Sequence, residues 1–331
     1  MIPLTGFGFD GTVGEIIPDG VISFKLIDTF GVPVSGAKVT FSALDGGTIQ
    51  NADATTDANG IAVAQAILGP DPGTYTFSAS AGGQSFLYQG NARLKPSIPA
   101  SGIVNAASFE GGRAVAPGSY ISIFGSDLSD FTDSATTIPL PLAIDFAIVT
   151  FDVPSAGISV PGHLVFVSPS QVNLQVPWEL QGQSSAQVKV TIDLTNGNVY
   201  TLPLSNYSPA FFEIGNGAVA ALDLNNQVIG ASNPAKRGQV VQLFGNGLGP
   251  VTNQPASGDP APSSPLAQTK STAVVTIGTA QATVSFSGLA PGFPGLYQIN
   301  AVVPTSLTPG TYPITVAIGG QTSKASTIVV Q

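Results

Sequence analysis

The stretch RGQVVQLFGNGL at residues 237–248 repeats the stretch PGSYISIFGSDL at residues 117–128, 120 positions earlier. Further along, QINAVVP at residues 298–304 repeats QVNLQVP at residues 171–177, at an offset of 127. The two pairs keep their order, and one longer loop in the second copy explains the drift of seven residues. Order and spacing of this kind indicate tandem copies of one supersecondary unit. We therefore predict two copies of one β-module in the second half of the chain.

The composition also favours short strands and tight turns. The 331 residues include 39 glycines and 27 prolines, and the apolar residues occur in short alternating runs. Charged residues make up only 9% of the chain, against about 25% in an average soluble protein. An apolar content of 43% excludes disorder from low hydrophobicity. We predict an all-β fold in which helix is minor.

Charge and cysteine content exclude several classes of function. The net charge is −9 with ten basic residues, too few to neutralise the phosphates of a nucleic acid. The same shortage disfavours an anionic membrane surface, and no apolar run of about 18 residues is present to span a bilayer. The absence of cysteine removes disulfides, thiolate metal sites and cysteine nucleophiles.

The surface composition favours an extracellular or cell-surface protein, because Ser, Thr, Gln and Asn are common and lysine is rare. The first residues, MIPLTG, lack the basic and long apolar regions of a signal peptide. We expect that Met1 is an added start on a mature chain or a fragment, and that any export signal or anchor lies outside these residues.

Turn signals divide the chain into three predicted β-sandwich modules. Residues 1–94 form the first, with a tight turn at Asp57-Ala58-Asn59-Gly60. Residues 95–100 form a short linker stiffened by proline. Residues 101–212 and 213–331 form the second and third modules, which are the two copies of the repeat. A loop rich in Pro, Ser and Ala at residues 252–270 is the longest, and such loops carry function or simply flex.

The first module resembles the bacterial Ig-like domain (group 1) of invasin- and intimin-type surface proteins over residues 10–92. The residues that carry the resemblance are Asp28, Gly31, Pro33, Val34, Gly36, Val39, Phe41 and the run TDANGIA at residues 56–62. The resemblance implies a stalk or spacer domain and supplies no catalytic residue.

The second and third modules resemble the IPT/TIG type of Ig-like fold, because each has a strand ending in Phe-Gly-x-x-Leu, at Phe124–Leu128 and Phe244–Leu248. Residues 101–331 are also similar to an uncharacterised acidobacterial-type C-terminal domain family of secreted proteins. The matching runs are IVNAAS at 103–108, GLGPV at 247–251, APSSPL at 261–266, GLAPGF at 288–293 and GLYQIN at 295–300. This resemblance implies fold and export and carries no activity.

No catalytic or cofactor site is predicted. His163 is the only histidine, and no Gly-x-Ser-x-Gly elbow supplies a nucleophile for it, so we assign it a structural role. A zinc site lacks the required His and Cys ligands. The glycines at residues 245–249 precede Pro250 and not a helix with a lysine, so they indicate turns and not a phosphate loop.

Two groups of aspartates raise the alternative of calcium, since loop carboxylates bind Ca²⁺. They are Asp45, Asp53 and Asp57, and Asp127, Asp130 and Asp133. Neither group matches the calcium-loop motif, and Asp is a common turn residue, so turns are the favoured interpretation and no metal site is predicted.

Two features are candidates for contacts. Trp178, the sole tryptophan, corresponds to Thr305 in the second copy, so it packs between modules, lies in an ordinary core or stacks on a ligand. Thr5, Phe7 and Phe9 alternate with glycines and form either the first strand of their own sandwich or a donor strand for a neighbouring molecule. The paired Gln171/Asn173 and Gln298/Asn300 are expected to bond backbone at a strand edge.

These features predict a rod-like structural spacer or adhesion element of a secreted or surface-attached bacterial protein, without catalysis or cofactor. Its expected partners are proteins, through self-association or contact with other surface proteins. One alternative is the repeating subunit of an extracellular filament assembled through exposed sheet edges. The other is a carbohydrate-binding module that uses Trp178 or the loop at residues 252–270, with a glycan as partner.

Overall fold

The computed structural model describes residues 1–193 and 195–331, and their side chains except at residues 17–19. The described residues form 28 strands and two short 3-10 helices, Pro154–Ala156 and Trp178–Leu180, so the predicted all-β fold is confirmed. The chain divides into two compact units. The first unit comprises Met1–Lys95 with Asp193–Asn196, and the second comprises Pro96–Ile192 with Gly197–Gln331.

The first unit is a β-sandwich of two four-stranded sheets, with strand orders β1-β3-β6-β5 and β2-β8-β7-β4. Its strands are β1 (Ile2–Pro3), β2 (Gly8–Thr12), β3 (Ile16–Lys25), β4 (Val39–Ala43), β5 (Thr48–Gln50), β6 (Ile61–Ile67), β7 (Gly73–Ala81) and β8 (Gln84–Arg93). Burial alternates along β6 and β7, which turns one face of each sheet into the core. Phe24, Phe77 and Tyr88 fill that core.

The second unit begins with two sheets that pack around one core. Its strands here are β9 (Ile103–Asn105), β10 (Tyr120–Phe124), β11 (Asp133–Ser134), β12 (Ala143–Ile144), β13 (Ala147–Val153), β14 (Ile158–Pro161), β15 (His163–Ser168), β16 (Gln171–Gln175), β17 (Ser185–Ile192) and β19 (Tyr200–Pro203). The short strand β18 (Thr195–Asn196) falls within the residues of the first unit. One sheet has the order β11-β15-β16-β10-β9, and the other is built on β12-β13-β17, with β14 beside β13 and β19 beside β17.

The remaining strands form a nine-stranded sheet around a second core. They are β20 (Ala210–Phe211), β21 (Ala221–Leu222), β22 (Val240–Asn246), β23 (Val274–Ile277), β24 (Ala280–Leu289), β25 (Tyr297–Val302), β26 (Gly310–Ile318), β27 (Gln321–Thr322) and β28 (Ser326–Val330). We call residues 101–212 repeat A and residues 213–331 repeat B. The count of three modules and their boundaries stay predictions, and β20, which precedes the expected boundary at 212, pairs with β22 beyond it.

Strand register follows the two offsets of the sequence repeat. Ile121 on β10 lies opposite Leu174 on β16, and Val241 on β22 lies opposite Ala301 on β25. The first strand of each pair is shifted by 120 residues and the second by 127, the two offsets of the sequence repeat. A β-bulge also recurs, between Leu164 and Phe166 in β15 and between Val284 and Phe286 in β24. The two copies therefore share backbone irregularities as well as strand order.

One loop accounts for the change of offset, as predicted. Strands β15 and β16 are joined by the two residues 169–170, whereas β24 and β25 are joined by residues 290–296. The additional residues belong to repeat B and include two prolines and two glycines. This loop, which we call the insert loop (residues 290–296), contacts repeat A.

Candidate functional site

The N-terminal candidate residues lie within their own sandwich. Strand β2 pairs in parallel with β8, which places Phe9 opposite Gly90. The Phe9 ring is buried and lies 5.8 Å from the Phe77 ring, while the half-exposed Phe7 ring contacts Phe86 at 5.6 Å. Thr5 accepts a hydrogen bond at Oγ1 from the N–H of Ser23, at 3.1 Å. The whole segment therefore has intramolecular partners.

The aspartates of the first calcium candidate cap turns and strands. Asp57 Oδ1 accepts hydrogen bonds from the N–H groups of Asn59 and Ile61, both at 2.8 Å. Asp53 and Asp45 likewise accept backbone N–H groups, from Val63 and Thr76. Among the described residues, no three His, Cys, Asp or Glu side chains lie together in a way that could hold a metal ion.

Trp178 is buried at the contact between the two repeats. Its side chain is 4% exposed and belongs to the core cluster of repeat B, whose other buried members lie between residues 211 and 330 of the described chain. The indole Nε1 has no hydrogen-bond partner among the described residues, so apolar packing holds the ring. A sugar ring could not stack on so small an exposed area.

The glycine turn before β10 makes room for this ring. Gly118 and its equivalent Gly238 both have positive φ, +81° and +77°, so the repeat keeps the turn. A Cβ at Gly118 would overlap the six-membered ring of Trp178. A Cβ at Gly238 would meet only Thr305 Cγ2, at 3.4 Å. The two repeats therefore share a turn, and only repeat A covers it with an indole.

The loop at residues 252–270 is ordered against repeat A and brings polar groups to Trp178. Ser257 Oγ accepts the N–H of Trp178 at 2.8 Å and donates to Glu179 Oε2 at 2.7 Å. The N–H of Gly258 donates to Gln175 Oε1 at 2.8 Å, and its carbonyl accepts the N–H of Leu140 at 2.9 Å. Two sequence candidates, Trp178 and this loop, thus meet at one junction.

His163 lies beside the same loop in a structural position. It is the first residue of β15, and its Nδ1 lies 3.2 Å from the carbonyl oxygen of Leu140. A Cβ at Gly258, whose φ is +80°, would overlap the imidazole ring. The glycine therefore permits close packing of the loop on the histidine.

Asn246, at the end of β22, joins repeat B to the backbone of β10. Its Oδ1 accepts the N–H of Tyr120 at 2.8 Å, and its Nδ2 donates to the Tyr120 carbonyl at 2.8 Å and to Asn105 Oδ1 at 2.9 Å. The side chain is fully buried at 0% exposure. Because buried amides without partners are costly, this geometry fixes the relative position of the repeats. The residue equivalent to Asn246 in repeat A is the exposed Ser126.

The insert loop completes the junction. The Tyr120 hydroxyl donates to the carbonyl oxygen of Pro294. Gly295 lies against Gln175 and Gly118, where a Cβ would come within 2.8 Å of both the Gln175 Nε2 and the Gly118 carbonyl. Burial raises the pKa of Tyr120 to about 12. The phenol therefore remains a hydrogen-bond donor throughout the neutral range.

Alkaline titration should weaken this junction. A tyrosine in an unfolded chain titrates near pH 10, so the stability from protonated Tyr120 is complete below that pH and is lost as the pH rises through 12. Between about pH 8 and about pH 11, urea unfolding should show a fall in stability about 1 kcal/mol larger in the wild type than in Tyr120→Phe. Burial also raises the pKa of Tyr297, which both proteins retain, so the difference isolates Tyr120. Equal falls would contradict the assignment.

Beside the junction, the repeated sheets carry two related grooves on the faces turned away from their cores. The A groove has a volume of about 360 Å³ and a floor that includes Ser122, Gln171 and Asn173. The B groove has a volume of about 480 Å³ and a floor that includes Gln242 and Gln298. Among the described residues, no charged side chain lines either groove.

The expectation that the Gln and Asn pairs bond backbone at a strand edge was wrong. Their strands β16 and β25 are internal, because each has a neighbour on both sides. Gln171 Nε2 donates to Asn173 Oδ1 at 2.9 Å, and Gln298 Nε2 donates to Asn300 Oδ1 at 2.8 Å. Residues two apart on a strand face the same side, so each pair forms a side-chain bridge on one face of its sheet. Gln171 and Asn173 both line the A groove, and Gln298 lines the B groove.

Sequence reasoning missed Asn246, Gln175 and Tyr120 as junction residues. The sequence signal for these residues was a difference between the two copies. Asn246 stands where repeat A has Ser126, and the insert loop has no counterpart in repeat A. Differences between the copies therefore mark the junction, while similarities mark the shared fold.

Comparisons with family models and with curated proteins identify no family for this chain. No protein-family model matches the chain, and no curated protein matches it. No helix in the described part of the chain has the length and hydropathy needed to cross a bilayer.

Several solved structures are similar to the chain at low identity. A C-terminal fragment of intimin, in complex with the intimin-binding domain of the translocated intimin receptor, is 14% identical, with coverage of 62% of this chain and 61% of the fragment and a TM-score of 0.34. The protein SGBP-B of Bacteroides ovatus, in complex with a mixed-linkage heptasaccharide, is 15% identical, with coverage of 99% and 66% and a TM-score of 0.30. Invasin, a bacterial integrin-binding protein, is 15% identical, with coverage of 96% and 59% and a TM-score of 0.23. The matches span 59 to 66% of these proteins' chains. At TM-scores this low, the Ig-like architecture rests on the strands and registers of the chain itself.

Proposed function

We propose that the chain is a non-catalytic structural spacer or adhesion element of a secreted or surface-attached bacterial protein, in which residues 96–331 act as one rigid block. The observation that supports this proposal is the buried polar contact of Asn246 with Tyr120 and Asn105. These hydrogen bonds are 2.8 to 2.9 Å long, so a hinge motion between the repeats would break them.

Repeat B is held rigidly against repeat A because a movement between them would break stabilising contacts. Interfaces between domains of one chain are commonly polar and permit motion. Here, movement would withdraw Trp178 from the core of repeat B and leave the Tyr120 N–H without its acceptor. Each of these losses costs stability. A block of fixed geometry suits a spacer or a display element.

Other observations support the proposed surface location of the chain and its proposed lack of catalysis. Few charges, a surface rich in small polar residues and the lack of cysteine are compatible with a bacterial surface protein. The junction residues bond one another and the backbone, and His163 Nδ1 lies 3.2 Å from the Leu140 carbonyl oxygen. The contacts therefore support cohesion, and the partner is a protein or a glycan on another surface.

Native-state hydrogen exchange tests the rigid block in the full chain. We expect core amides of β10 and β16 to open with the same free energy as core amides of β22 and β25, because the two repeats unfold together. Strands β7 and β8 of the first unit are an internal reference. Opening free energies for the two repeats that differ by more than about 1.4 kcal/mol, a tenfold difference in opening, would contradict the proposal.

Self-assembly is tested separately by light scattering and negative-stain electron microscopy over a concentration series. Single particles at all concentrations would support a spacer or adhesion element. Long regular fibres would replace it with the filament subunit. Since β2 already has β8 as its partner, such fibres would need another sheet edge or a rearranged N-terminal segment.

A further inference from the structure

We propose that the A groove and the B groove form one continuous binding site for a neutral, linear polysaccharide, with Phe212 at its centre. Phe212 lines both grooves, so a single extended ligand that crosses it would contact both repeats. The inference rests on the proposed function in one respect: the rigid block keeps the two grooves at a fixed spacing.

The grooves are two versions of the same surface. Ser122 in the A groove and Gln242 in the B groove occupy equivalent positions on β10 and β22, as Gln171 and Gln298 do on β16 and β25. Two related sites suit a ligand whose own chemistry repeats. A linear polysaccharide has that property, with the same sugar edge recurring along the chain.

The lining combines aromatic rings with amides. Phe109 contributes to the A groove, and Phe244 and Phe293 contribute to the B groove, on either side of the shared Phe212. Phe109 and Phe293 are 59% and 54% exposed, so both rings are accessible to a ligand. Such rings offer apolar faces to the C–H surface of a sugar, and the amides offer donors and acceptors to its hydroxyls.

Part of the amide capacity remains for a ligand. The bond from Gln171 to Asn173 uses one N–H of the former and the oxygen of the latter. It leaves the Gln171 Oε1 and the Asn173 Nδ2 without a partner among the described residues, as the bonds of Gln298 leave its Oε1. The bridges also hold the amides in place, so little side-chain freedom is lost on binding.

The backbone at Phe109 supports the assignment. Its φ is +55°, a region that bulky residues rarely adopt, and its N–H donates to the Asn105 carbonyl at 2.9 Å. The ring is held 6.4 Å from that of Phe124 at the side of the groove. This backbone conformation holds the exposed Phe109 ring at the edge of the A groove.

Size and charge favour a sugar chain over other ligands. Volumes of 360 and 480 Å³ are those of small-ligand sites. The described lining residues include no charged side chain, so they offer nothing to neutralise a phosphate, a carboxylate or a sulfate. The ligand should therefore be uncharged.

Affinity electrophoresis of the full chain tests the site. The gels contain glucomannan, xylan or mixed-linkage β-glucan as neutral polymers, and polygalacturonate or heparin as charged ones. We expect at least one neutral polymer to retard the wild type, with affinity about tenfold lower in Phe212→Ala and reduced in Phe293→Ala. The control is Phe131→Ala, which removes a 61% exposed ring that lies outside both linings and should bind as the wild type does.

The outcomes separate this inference from the proposed function. Three results would overturn it: no retardation by any neutral polymer, stronger retardation by charged polymers than by neutral ones, or retardation of Phe212→Ala and Phe293→Ala equal to that of the wild type. So would self-association of the chain that Phe212→Ala abolishes, since the groove would then hold a second copy. Uncoupled hydrogen exchange with sugar binding intact would instead reject the rigid block and keep the site.

Discussion

Replacing Trp178 by alanine should lower the free energy of unfolding of residues 96–331 by about 4 kcal/mol, the largest single effect expected in this chain. The ring is buried in the core of repeat B although it belongs to repeat A. Its removal takes away apolar contact and leaves a cavity between the repeats, and both terms reduce stability. We also expect the two repeats to unfold in separate steps, because the shared part of the core is gone.

A matched control comes from the repeat itself. Thr305 occupies the position equivalent to Trp178 and is exposed, so Thr305→Ala should change stability by less than about 0.5 kcal/mol. Trp178→Phe keeps most of the apolar volume and removes an indole N–H that has no partner in the described chain. We expect that variant to lose much less than Trp178→Ala. Circular dichroism in a urea titration measures all three.

Displacing the ring without removing it should have a related effect. Gly118→Ala and Gly238→Ala both place a methyl group at positive φ, which costs about 1 kcal/mol in each repeat. Only the first methyl overlaps Trp178, so Gly118→Ala should cost about 2 kcal/mol more than Gly238→Ala. Equal losses for the two glycine variants, or two-step unfolding already in the wild type, would contradict the role of Trp178.

The internal repeat made the shared architecture predictable. Apolar residues at alternate positions fixed which face of β10 and β22 is buried, and equal spacing fixed their registers against β16 and β25. The change of offset also predicted one longer loop, which the insert loop provides. These properties depend on local sequence patterns, which is why a single sequence contains them.

The junction could not be predicted in the same way, because its partners are far apart in the chain. Nothing near Asn246 in the sequence indicates that its amide bonds Tyr120, 126 residues away. Similarly, the Pro- and Ser-rich composition of residues 252–270 predicts a loop but not that Ser257 accepts the Trp178 N–H. Such contacts depend on how two folded surfaces meet, and local propensity does not determine that.

The grooves show a further limit of the sequence. Alternation predicts that Ser122 and Gln171 face away from the core, but it does not predict whether that face contacts solvent or a ligand. The aromatic wall is assembled from Phe109, Phe212 and Phe293, which belong to three separate loops or strand ends. Only the folded chain brings them to one surface.

Replacing Asn246 by aspartate should have the second largest effect, a loss of about 4 kcal/mol at neutral pH. The substitution keeps the shape of the side chain and an acceptor for the Tyr120 N–H. It replaces the donor Nδ2 by an oxygen that faces the Tyr120 carbonyl and Asn105 Oδ1, and it buries a charge without a cation. Repulsion and desolvation therefore act together.

The loss should depend on pH with a defined sign. Burial and two facing oxygens would raise the pKa of the new carboxyl above the value near 4 that it has in an unfolded chain. The penalty should be absent below about pH 4, where the acid is protonated in both states, and should grow as the pH rises to the folded-state pKa. Asn246→Ala, which leaves the Tyr120 N–H unpaired, should lose about 2 kcal/mol at either pH.

Urea unfolding at about pH 4 and about pH 7, followed by the fluorescence of Trp178, distinguishes the charge penalty of Asn246→Asp from the loss of hydrogen bonds in Asn246→Ala. Trp178 is the only tryptophan and lies at the junction, so its emission reports the contact under study. Ser126→Asp introduces the same charge at the exposed equivalent position in repeat A, and we expect it to be nearly neutral. If Asn246→Asp were as stable as Ser126→Asp at neutral pH, the amide could not be buried between the repeats. The rigid block would then lose its main support.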